Sequence, residues 1–126
     1  MGDGIVPPVT VEQLVEAFAR MQGSYGFVSG IAIRVGTAVP VWSLTTIPAR
    51  TSGNVTTVYN AMFYNPGLAT RAWLEVAGVA ITVPIVLGAT ANAFVPFEGG
   101  LTVGDNDVNL NSIGNEVQCV ISGTEV

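Results

Sequence analysis

Two periodicities divide the chain. Over residues 10–22 apolar positions recur at helical spacing, placing Val11, Leu14, Val15, Phe18 and Met21 on one face. Thr10 stands as N-cap with Gln13 three residues on, so each side chain can satisfy an amide that a first helical turn leaves free. Glu12 and Glu16 suit the positive end of the helix dipole, and Gly23 supplies a stop. The spacing therefore predicts an amphipathic helix over 10–22. Ahead of it, residues 1–9 read as a short arm, stiffened by Pro7-Pro8 and carrying Ile5 and Val6. Such an arm either frays or docks on a neighbour.

Past Gly23 the period becomes two. Residues 25–35, 39–47, 54–64, 70–77, 79–87, 91–97 and 116–122 are rich in Val, Ile, Thr and aromatics and are bounded by Gly, Pro and Asn, which predicts strands. Within 70–77, Ala72, Leu74 and Val76 point one way while Arg71, Trp73 and Glu75 point the other. Ala77-Gly78 reads as a tight hairpin loop and Asn65-Pro66-Gly67 as a second turn. Pro84 and Pro96 have no amide to give to a ladder and belong at edges or bulges. Seven or so short strands predict a mainly β chain. The expectation is a single β-sandwich or jelly-roll-like domain over 10–126, including the N-terminal amphipathic helix, with the arm 1–9 in front.

Composition changes the picture in one respect. Charged residues make up 10% of the 126, against about 25% in an ordinary domain. Apolar residues make up 49%; the four cations are all arginine, and there is no histidine. A small domain exposes much surface per residue, so this shortage of charge implies that part of the exterior is covered by other chains. A membrane is the rival explanation. The charge-free stretch between Glu75 and Glu98 is long enough to span one, but it holds Gly78, Pro84, Gly88, Asn92 and Pro96 and alternates as a strand does. The first residues show neither a basic region nor an apolar run, which predicts a protein made in the cytoplasm without a signal peptide. A net charge of −5 is unsuited to nucleic acid.

The search for chemistry returns absences. Without histidine or lysine, Ser-His-Asp and Cys-His pairs, Schiff bases and phosphate loops cannot be built. Cys119 alone makes neither a disulfide within the chain nor a zinc site, and reads as a small buried hydrophobe. Glu12 and Glu16 lie one turn apart on a polar helix face, a solvated pair and not an acid–base couple. The reading is of a protein that is not an enzyme and needs no cofactor or metal. Asp105 and Asp107, with Asn109 and Asn111 following, alternate oxygen ligands as a calcium loop would, but Gly104-Asp-Asn-Asp107 is better read as a tight turn before a strand. Trp42 and Trp73 could stack on sugar rings, Trp73 with Arg71 and Glu75 beside it; packing is the commoner use of tryptophan.

Several stretches carry a resemblance. They are Tyr59-Asn-Ala-Met-Phe-Tyr-Asn-Pro-Gly67, Ala72-Trp-Leu-Glu-Val-Ala-Gly-Val-Ala-Ile-Thr82, Gly99-Gly-Leu-Thr-Val-Gly-Asp-Asn-Asp107 and Glu116-Val-Gln-Cys-Val-Ile-Ser-Gly-Thr-Glu-Val126. Their order over residues 45–126 resembles small β-sandwich structural proteins of tailed bacteriophages, of the capsid decoration (cement) type. The resemblance implies a viral structural protein that forms a homotrimer on the virion surface and stabilises the head by binding the major capsid protein. A tail, baseplate or fibre component and a carbohydrate-binding module or adhesin are the alternatives. Ile5, Val6, Pro7 and Pro8 are the expected arm contacts. Phe18 and Trp42 are the expected packing residues of the interfaces.

Overall fold

The computed structural model describes residue 11 and residues 25–126. The arm 1–9, with Ile5, Val6, Pro7 and Pro8, lies outside the described residues, as do Phe18 and all of the predicted helix 10–22 except Val11. Helical conformation occurs, among the described residues, at Val11 alone.

The described chain is mainly β. Ten strands, β1 (Tyr25–Val28), β2 (Ala32–Arg34), β3 (Val39–Trp42), β4 (Thr56–Tyr64), β5 (Thr70–Val76), β6 (Val79–Ala80), β7 (Ile85–Leu87), β8 (Asn92–Gly104), β9 (Val108–Ser112) and β10 (Val117–Glu125), form two antiparallel sheets. The first runs β1-β10-β4-β8, with β2 on the same edge of β10 as β1. The second runs β3-β9-β5-β6, with β7 also on β5. After β2 the chain crosses to the second sheet for β3, returns for β4, and goes on alternating, with β5 to β7 together in the second sheet.

Two predicted strands are each broken in two. Residues 25–35 become β1 and β2, and Ser29 keeps the ladder alive between them. Its amide donates to the Ile121 carbonyl (2.8 Å), and its hydroxyl oxygen accepts from the Ile121 amide (2.9 Å). Residues 79–87 become β6 and β7 with Pro84 between them. Pro96 lies in β8, which ends its sheet, as a residue without an N–H requires. Ala77 and Gly78 close the β5–β6 hairpin with φ of 52° and 78°, the doubly positive turn that matches strand twist.

Strand alternation builds the core. Val117, Cys119 and Ile121 of β10, Val58, Ala61 and Phe63 of β4, Ala72 and Leu74 of β5, and Val108 and Leu110 of β9 all turn into one apolar cluster shared by both sheets. Trp42 lies inside this core, 2% exposed, and offers no surface to a partner. Its ring stacks on Phe27 of the other sheet at a centroid distance of 4.0 Å and 10° between planes, and its Nε1 donates to Thr56 Oγ1 (3.2 Å). That stack adds about 1 kcal/mol to what its buried area contributes. Cys119 sits among the same side chains, and burial pushes its thiol up to about 12, so it has no thiolate at neutral pH.

One glycine and one asparagine fix the geometry around that core. A register shift on β10 falls between Ser122 and Gly123, and a Cβ at Gly123 would lie 1.9 Å from the Thr57 carbonyl oxygen. No side chain fits there, which gives the Ile-Ser-Gly step a steric reason. Asn65 is fully buried at the end of β4. Its Nδ2 donates to the carbonyls of Leu68 (2.7 Å) and Gly88 (3.0 Å), while its Oδ1 accepts from the Gly67 amide (3.0 Å). One side chain thereby replaces the ladder for two loops that have no strand to pair with. Asn65→Asp would set a carboxylate against those carbonyls and leave them without a donor. We expect it to lower unfolding free energy by about 3 kcal/mol in urea titrations at neutral pH, with the m-value unchanged.

Candidate functional site

With the core filled, the described residues can meet a ligand or partner only at the outer faces and the loops. The two outer faces differ in chemistry, and the difference follows from which residues fill the outward phase of each strand.

On the first sheet three rows run across the strands. Ile33, Gln118, Tyr64 and Asn92 are aligned in one; Val120, Met62 and Phe94 in the next; Val28, Ser122, Asn60 and Pro96 in the third. None of these residues is charged. Met62 (52% exposed) and Phe94 (61%) stand side by side, with Val28, Ile31 and Ile33 also exposed. A hollow of about 200 Å³ opens between Ile31, Met62, Tyr64 and Val120. A second, of about 330 Å³, lies beside Tyr59, where Gly26 and Gly123 supply no side chain. A register shift between Val58 and Asn60 puts Tyr59 and Asn60 in succession on the outer side. An apolar patch of this kind is a candidate interaction surface.

The second sheet presents polar and aromatic groups. Arg71, Trp73 and Glu75 of β5 face outward, as the alternation predicts, and β9 sets Asn111 opposite Trp73 and Asn109 opposite Glu75. Trp73 Nε1 donates to Glu75 Oε2 (2.7 Å), and Asn111 Nδ2 donates to the same oxygen (2.9 Å). Strand β9 is absent from the predicted set. Its signal is present in Val108-Asn-Leu-Asn-Ser112, where every second residue is apolar or small, and Gly104–Asp107 reads as the turn before a strand, but the two asparagines mask the alternation.

The Gly104–Asp107 segment is a turn held by arginine. Arg50 Nε donates to Asp107 Oδ1 (2.6 Å) and its Nη1 to Asp105 Oδ1 (2.5 Å), and the Gly53 amide adds a second bond to Asp105 (3.1 Å). Asn106 Nδ2 closes the turn on the Val103 carbonyl (2.7 Å), and β9 follows at Val108. Both carboxylates are thus engaged by a cation of the chain. Among the described residues no three His, Cys, Asp or Glu side chains are grouped as a metal site.

The Gly53 amide and then Arg50 hold the Asp105 carboxyl below its usual range. Burial alone would pull the Arg50 guanidinium down, but its bonds to Asp107 and Asp105 more than reverse this and leave it raised. Trp42 is enclosed, so Trp73 is the tryptophan with a ring available to a ligand. No family model matches the chain, and no curated protein matches it.

The depressed Asp105 value fixes a pH dependence. A carboxyl that is more acidic folded than unfolded stabilises the fold above the unfolded value, about 3.9, and that contribution fades as pH falls through the folded value. Urea titrations should show Asp105→Asn less stable than wild type near neutrality. The two should converge as pH falls through the folded value of Asp105, where wild type loses the same contribution.

Proposed function

We propose that the protein is a non-catalytic virion structural protein, a capsid decoration protein that self-associates as a trimer and binds the shell of a tailed bacteriophage. Its fold reads as a β-sandwich of jelly-roll topology. Counting β1 with β2 and β6 with β7 as single interrupted strands leaves eight strands, four to a sheet, and the chain crosses between sheets in the order that architecture requires.

The observation that carries the reading is the apolar patch on the outer face of the first sheet, centred on Met62 and Phe94, with Glu98 at its β8 border. It provides the surface that the shortage of charge implied, and it spans all of that sheet's strands. Apolar side chains held on a rigid sheet lose little entropy on association, and removing them from water stabilises the complex by roughly 25 cal/mol per Å² of apolar area. A ligand that binds only the assembled shell then stabilises that shell by mass action. The resemblance over residues 45–126 points to the same role.

Light scattering of purified protein should give three chain masses, and co-sedimentation with empty phage shells should deplete it from the supernatant. Met62→Asp and Phe94→Asp change exposed positions, so both variants should keep the wild-type Tm within a few degrees. Each should lower self-association at least tenfold. A wild-type protein that remains a single chain at high concentration and never pellets with shells rules the reading out.

A further inference from the structure

We infer that the outer face of the second sheet is a carbohydrate-binding site, with Trp73 as the platform for a pyranose ring. This surface lies on the opposite sheet from the proposed assembly face and does not depend on that reading.

The geometry of Trp73 comes first. Residues two apart on a strand point the same way and stand about 6.7 Å apart. For Trp73 Nε1 to donate to the Glu75 carboxylate, the indole must lie down along β5 toward Glu75. The side chain is half-buried, so an indole tethered at Nε1 leaves part of its ring open to solvent. A fixed, flat aromatic face suits the axial C–H groups of a sugar ring, and a prepositioned side chain loses little freedom when the ring stacks on it.

Polar groups converge around that platform. Glu75 is 9% exposed and accepts both of its bonds on Oε2, so Oε1 receives none from the described residues. Those two donors fix a carboxylate that can accept from sugar hydroxyls. Asn109 aligns with Glu75, and Asn111 with Trp73, which places amides on the same surface. Arg71 is exposed one step further along β5, next to a depression of about 310 Å³ that it lines with Val86 and Ile113. That volume is at the lower end of small-ligand clefts, about 300 Å³. Ring stacking flanked by a carboxylate, amides and a guanidinium can make bidentate bonds to vicinal hydroxyls, and no other described surface combines these groups.

A printed array of neutral, N-acetylated and uronic-acid pyranose oligosaccharides tests the inference, followed by fluorescence titration with the oligosaccharide that gives the strongest signal. Trp42 is enclosed in the core, so a ligand-induced change in emission reports on Trp73. We expect saturable binding that falls at least tenfold in Trp73→Ala and is largely retained in Trp73→Phe. Arg71→Ala, at an exposed position, serves as a second reading if Trp73→Ala does not fold, and should weaken binding severalfold. No array signal above background, or binding that is equal in wild type, Trp73→Ala and Arg71→Ala, would overturn it. Loss of glycan binding with the trimer intact, or loss of the trimer in Met62→Asp with glycan binding intact, separates this inference from the assembly reading.

Discussion

A strand has two faces, and a sheet that packs on another can hide only one of them. The structure turns on that constraint. Val117, Cys119 and Ile121 send β10 inward at every second position, and the intervening Gln118, Val120 and Ser122 are left for the exterior. Because the core is served by one phase alone, the outward phase is free to carry other chemistry. On the first sheet it carries Met62, Phe94 and Ile33; on the second, Trp73, Glu75 and the two asparagines of β9. The abundance of apolar residues in the chain therefore reflects the core, the apolar patch on the first sheet, and exposed side chains such as Ile47, Leu68, Val83 and Val86 elsewhere.

Several of the few charges hold loops. Arg50 joins the segment after β3 to the turn before β9. Arg34, buried at the end of β2, donates to the carbonyls of Gly36 (2.9 Å) and Gly114 (3.3 Å), which belong to different connections. Glu125 accepts from the Thr51 amide (2.7 Å) at the far end of β10. Loops lack a ladder, and in each case a long side chain supplies the partner that a neighbouring strand would otherwise provide. With its charges committed in this way, the chain has few left to solvate the sheet faces.

How much of this was legible depended on whether the signal was local. The phase of β5 follows from Ala72, Leu74, Arg71 and Trp73 alone, and the Ala77-Gly78 hairpin needs only the residues that form it. Pro84 marks its own break, whereas the break at Ser29–Ile31 was less visible, because a strand can stop without a change in composition when its partner runs out. β8 extends to Gly104, well past the expected end at 97, since pairing with β4 resumes at Leu101 beyond the irregular Gly99-Gly100 step. The acidic turn could not be resolved from sequence, because its counter-ion, Arg50, is more than fifty residues away. The Glu75–Asn111 contact likewise crosses between strands that only the sheet order brings together. For residues 1–10 and 12–24 the sequence pattern is the only guide.

The borders of the two sheets carry a further consequence. β1 and β2 are interrupted at Ser29–Ile31, β6 and β7 at Pro84, β3 is four residues long and contains Pro40, and β8 contains Pro96 and the Gly99-Gly100 irregularity. None of the four margins offers a long, regular run of free amides and carbonyls on which a foreign strand could template. Chains of this kind are thereby protected from lateral growth into fibrils.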